Sequence, residues 1–208
     1  MLAYFRQGLN GYIKNNIVKF FFVILIFSIG VVFGAMAIKV LPDGQKSELA
    51  GYLNIFFQDI ATHTEYGLDL FLTVLWNNLK IIFLIWILGF TIIGVPFILF
   101  IVFTRGFIIG FTVGLLVNEF VLKGLLFAFV AILPHNFIAV PILILMSIFS
   151  ISFSIQIINK KKQINSKLLA NSINYSIICL VLCVGMLVSS LVEVYISPVF
   201  MKLVAGLF

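Results

Sequence analysis

At 208 residues the chain has the length of one compact domain, yet 63% of it is hydrophobic, with a mean hydropathy of +1.26. Only 10% of the residues are charged, against about 25% in a soluble domain, so a soluble fold could not cover its surface and the bilayer is the solvent that fits. The formal net charge of +6 would point to nucleic acid in a soluble protein. Here the bases flank apolar runs, so anionic lipid headgroups account for them and no nucleic-acid partner is expected.

Five spanning segments emerge in chain order. The first covers residues 17–38. Lys14 and Lys19 precede its apolar run, and Ala35-Met36-Ala37 has the form of a cleavage site. The uncharged run from Phe20 to Ile38 is 19 residues, longer than the about 7–15 of a signal core, so it reads as a retained helix. Residues 41–80 follow as a non-spanning region. Leu41-Pro42-Asp43-Gly44 is a turn. Tyr52, Phe56, Phe57 and Ile60 then recur at helical spacing among polar residues, and Leu70, Phe71, Val74 and Leu75 lead to Asn77-Asn78-Leu79-Lys80. These read as amphipathic helices on the outer membrane surface.

The second span, 81–103, is 23 residues without a charge, bounded by Lys80 and Arg105. The third, 106–122, is short and glycine-rich. The fourth, 124–158, holds no acid or base except His135 over 35 residues, too long for one straight helix and too short for two with a loop. Pro134 and Pro141 lie inside it and remove backbone donors. A segment broken there, re-entrant in its first part and a full helix after, explains the length. The fifth span is 168–192, and the tail 193–208 lies on the outer face. The expected fold is an all-α integral membrane protein, one transmembrane domain over residues 1–208.

Charge sets the expected orientation. Arg6, Lys14, Lys19, Arg105, Lys160, Lys161, Lys162 and Lys167 fall on one side of this arrangement with no acid. All seven acids fall on the other, with five bases. The positive-inside rule puts the N-terminus in the cytoplasm and the C-terminus outside. An even number of spans would break the separation.

Few residues invite chemistry. Gly106, Gly110 and Gly114 form a small-residue stripe on the third span, and Gly30 and Gly34 repeat it on the first. Such stripes let helix backbones approach closely, either within one chain or across a homodimer seam. Glu119 and His135 are ionisable groups near the membrane interior, costly there and functional by default. They can meet near the outer interface and share a proton, a hydrogen bond or a metal ion. The plain alternative is that His135 caps backbone freed by Pro134 and Glu119 is solvated. A zinc site wants three or four ligands, so no cofactor beyond such an ion is expected. Cys179 and Cys183, at i, i+4 in an apolar run, read as packing residues. No Ser-His-Asp or H-E-x-x-H arrangement occurs, and no enzymatic activity is expected.

The stretch Asn77-Asn78-Leu79-Lys80, then Leu84-Ile85-Trp86-Ile87-Leu88-Gly89 and Gly94-Val95-Pro96, resembles the stage II sporulation protein M family. So do Arg105-Gly106-Phe107, Gly110-Phe111-Thr112-Val113-Gly114 and Leu133-Pro134-His135-Asn136. The resemblance covers nearly the whole chain and is most specific over residues 77–141. It implies a role in forespore engulfment, in the mother-cell membrane, anchoring two peptidoglycan-processing partners, the stage II sporulation proteins D and P. The expectation is therefore a non-enzymatic scaffold that docks partners through Tyr52, Phe56, Phe57, Asn77 and Asn78. The same aromatic residues can equally dip into lipid. The rival is a permease or channel-like subunit with its path through the broken fourth segment.

Overall fold

The computed structural model describes residues 16–62, 67–159 and 166–205, and for residues 54, 56–62, 158–159, 166–170 and 203–205 the backbone alone. Every element among the described residues is helical: α1 (Ile17–Val40), α2 (Asp43–Thr62), α3 (Leu68–Gly89), α4 (Gly94–Ala131), α5 (Leu133–Asn159), α6 (Ser166–Leu191) and α7 (Ser197–Ala205). A π-helical turn, Val192–Ile196, joins α6 to α7. Five helical stretches are long and apolar enough to cross a membrane: Ile17–Val40, Leu68–Gly89, Gly94–Ala131, Leu133–Ile157 and Asn171–Lys202.

The number of spans agrees with the sequence reading and the first begins at Ile17 as expected, but the register of the second, third and fourth does not. The chain reverses at residues 90–93, in the middle of the expected 81–103 span. Phe90 N–H donates to the Ile87 and Leu88 carbonyls, and Thr91 Oγ1 donates to Leu88 O at 2.9 Å. These bonds close the carbonyls that the end of α3 leaves open. Charge could not reveal a turn built from Phe, Thr and Ile. The second span therefore begins at Leu68, and residues 68–80, expected on the outer surface, belong to it. Of the outer region only α2 remains separate. Phe56 and Phe57 lie on its backbone, and their side chains are outside the described residues, as are Arg6, Lys14 and Lys160–Lys162.

The α4 element is not one straight rod. Val121 has φ 48° and ψ −117°, and Phe127, Ala128 and Ala131 pack on Leu116 and Val113. In a continuous helix Leu116 and Phe127 would stand about 16 Å apart, so the segment after Val121 folds back along the helix before it. Gly124 makes that possible, since a Cβ there would meet the Leu116 carbonyl. The next turn comes at Ile132. Pro134 sits in the first turn of α5, where its missing N–H costs nothing, and α5 runs through Pro141 without interruption. The turns thus lie at 121, where there is no proline, and at 132, just before Pro134, while Pro141 breaks nothing.

In the central helix, α5, half of the most apolar window is buried, against 17–28% in the other spans. The core around it joins Val23, Ile82, Ile85, Ile98, Val102 and Met146, all 1% exposed or less. The four serines of α5, Ser147, Ser150, Ser152 and Ser154, are buried as well, and three of them tie α5 to other elements. Ser150 Oγ is 2.7 Å from Tyr175 Oη of α6, Ser154 Oγ donates to Thr91 O at 2.8 Å, and Ser152 Oγ accepts from Lys19 Nζ at 2.9 Å. Only Ser147 bonds back within its own helix, to Leu143 O.

Candidate functional site

Where lipid replaces water, every buried polar group must find a partner in the protein, so the polar residues at depth mark the site. Asn78 of α3 is buried. Its Oδ1 accepts from Arg105 Nη2 of α4 at 3.4 Å. Its Nδ2 donates to Ser190 Oγ of α6 at 3.1 Å and to Glu193 Oε2, in the π-helical turn, at 3.2 Å. The charges dictate this orientation of the amide, its oxygen to the guanidinium and its nitrogen to the carboxylate. One neutral side chain thereby bridges a cation and an anion that do not touch each other. Arg105 lies eleven residues after Gly94 and Asn78 eleven before Gly89, each about 16 Å along its helix. That is near the middle of a hydrocarbon layer about 30 Å thick.

Two further residues join from the start of α5. His135 has Glu193 and Arg105 as its electrostatic neighbours. Its Nε2 is 3.0 Å from Asn136 Nδ2 and accepts from it. The ring proton then sits on Nδ1, which is buried and makes no hydrogen bond among the described residues. Asn136 Nδ2 also donates to Ile132 O at 2.8 Å, so Asn136, not His135, closes the backbone at that turn. Ser189 Oγ donates to His135 O at 3.0 Å. Between Asn78, Arg105, Asn136 and Met186 remains a cavity of about 20 Å³.

The expected site residues are distributed otherwise. Asn78, expected on an outer docking surface, is interior, because α3 begins ten residues before it; its neighbour Asn77 is exposed. Arg105, expected in a cytoplasmic joint, is the cationic centre of the cluster. Glu119 accepts from Asn118 Nδ2 at 3.1 Å on an exposed face, and the carboxylate that His135 faces is Glu193. No group of three or more His, Cys, Asp or Glu with metal-site spacing occurs among the described residues. Tyr52 is 64% exposed on α2. The glycine stripes meet each other within the chain. A Cβ at Gly30 or Gly34 would strike the carbonyl of Phe103 or Phe107, and one at Gly106 or Gly110 that of Phe27 or Val31. Sequence reasoning misses Glu193 and Ser190 as members of the cluster, while Asn136 stands in the Leu133-Pro134-His135-Asn136 motif that it singles out and lines the cavity. Glu193 carried a signal in being the one acid between residues 120 and 208.

Residues 23–198 match the family described as Stage II sporulation protein M. An uncharacterised protein of Methanocaldococcus jannaschii is 26% identical over 183 residues, covering 84% of this chain and 91% of that protein. No solved structure matches.

Proposed function

This chain belongs to the stage II sporulation protein M family, and from that premise we propose that it is a non-enzymatic membrane scaffold of endospore formation. In this reading it sits in the mother-cell membrane and recruits peptidoglycan-processing partners, the stage II sporulation proteins D and P, during engulfment. The observation that carries the reading is the way its charged residues are spent. Asn78, Arg105, Ser190 and Glu193 join three spans through hydrogen bonds, and the cavity beside Asn78, Arg105 and Asn136, about 20 Å³, has room for one water and none for a solute. A bundle cross-tied in this way holds its outer segments in fixed relation, which is what docking requires. With the N-terminus cytoplasmic, those segments are α2 and α7, on the side of the wall.

The test is to replace Tyr52, Phe56 and Phe57 together with Ser and to follow the two partners in sporulating cells. Loss of their recruitment with unchanged membrane insertion is expected. Partners that still localise would end the docking assignment. A permease reading draws on the same ionisable groups at depth. It requires solute flux through liposomes that Arg105→Gln abolishes, and tight liposomes containing the folded wild-type protein would dismiss it.

A further inference from the structure

A second polar group lies at the end of the bundle that carries the 90–93 turn. Lys19 Nζ donates to Asn16 Oδ1 at 2.8 Å and to Ser152 Oγ at 2.9 Å. An ammonium has three protons, so one remains to give. Ser152, itself buried, is also a wall of a groove between α5 and α6 with about 210 Å³ of space. Phe153 and Tyr175, stacked with ring centroids 4.5 Å apart, form its apolar floor. Gln156 and Asn171, joined by a hydrogen bond of 3.3 Å, form an amide rim. Lys160, Lys161 and Lys162 fall in the sequence between α5 and α6, and Lys167 is the second residue of α6.

The charge here has no counterpart in the chain. The described helices bring no Asp or Glu to this end, since residues 16–42, 70–118, 120–159 and 166–192 contain none, and residues 1–15 and 160–165 are free of them in sequence as well. The compensating anion must come from outside. A basic pocket between spanning helices, at the level of the headgroups, is the recognised form of an anionic lipid site. We propose that Lys19, Ser152 and the α5–α6 groove bind one anionic phospholipid. Its phosphate accepts from the ammonium, its glycerol esters lie along the amide rim, and the start of an acyl chain covers Phe153 and Tyr175. Free phosphate would use the ammonium and leave the groove empty.

The experiment is native mass spectrometry of the whole protein released from vesicles of equal phosphatidylglycerol and phosphatidylcholine. Wild-type protein should retain one phosphatidylglycerol in preference to phosphatidylcholine. Lys19→Gln, which keeps a hydrogen-bond donor for Ser152, should lower that retention about fivefold, the factor set by one basic residue near a membrane surface. Lys19→Arg should keep it. Circular dichroism of Lys19→Gln confirms that the helices persist, and Ser152→Ala, with the ammonium intact, should weaken retention without abolishing it. Equal retention in wild type and Lys19→Gln would overturn the proposal, as would equal retention of the two lipids. Displacement of the lipid by inorganic phosphate would reassign the site to a free anion and likewise overturn it.

Discussion

At the scale of single residues, Asn78 matters most because it serves two charges at once. Breaking a buried ionic network by removing one member costs about 3–5 kcal/mol, since the partners stay buried and unsatisfied. Asn78→Leu should therefore lower stability in mixed micelles by about 3 kcal/mol. Removing the charges too, with Arg105→Met and Glu193→Gln in the same chain, should restore most of it. An additive triple variant would show that the amide does not couple the two ions. Glu119→Gln is the contrast. Its carboxylate meets only a neighbouring amide on an exposed face, and the change should stay within about 0.5 kcal/mol.

At the scale of elements, the tightest seam joins α1 and α4, which run parallel. Phe103 and Phe107 of α4 face Gly30 and Gly34 of α1, while Phe27 and Val31 of α1 face Gly106 and Gly110 of α4. The obstacle at each glycine is a backbone carbonyl, which cannot swing aside as a side chain can. Gly110→Leu should force the helices apart and cost more than the about 1–3 kcal/mol typical of overpacking, read as a lowered unfolding midpoint. The fold-back after Val121 carries the opposite prediction. A β-branched residue at φ 48° is held in a conformation costing about 1–3 kcal/mol, and Val121 is 66% exposed, so little packing is lost on truncation. Val121→Gly should raise stability by about 1 kcal/mol. A decrease would mean that this turn is not strained.

At the scale of the whole molecule, the five spans and the segregation of the charges belong to one proposal about topology. With Arg105 inside the bundle, the remaining bases of the proposed cytoplasmic face are Arg6, Lys14, Lys19 at the start of α1, Lys160–Lys162 and Lys167 at the start of α6, still without an acid. In a Cys179→Ser, Cys183→Ser background, a cysteine at Gly44 should react with a membrane-impermeant maleimide in intact protoplasts. One at Gln163 should react only after the cells are opened. The reverse pattern would invert the molecule and move α2 and α7 to the cytoplasm, away from any wall enzyme.

Composition and the count of apolar runs determined by themselves that this is a helical, five-span membrane protein, because a chain 10% charged has no other solvent than lipid. They also marked Gly30, Gly34, Gly106, Gly110 and Gly114 as packing residues, since only close backbone approach needs glycine at four-residue intervals in a helix. The first span begins at Ile17 as the sequence indicates, but where the second, third and fourth begin was decided by the tertiary structure alone. The chain turns at Phe90–Ile93 without a charge, and Arg105 lies at depth without a loop. Hydropathy measures the cost of a lone charge in lipid and does not register that Asn78 and Glu193 remove most of it. Those three residues stand on three helices, 27 and 88 positions apart, and no local pattern connects them. Packing α3, α4, α5 and α6 together is what turns scattered polar residues into one cluster.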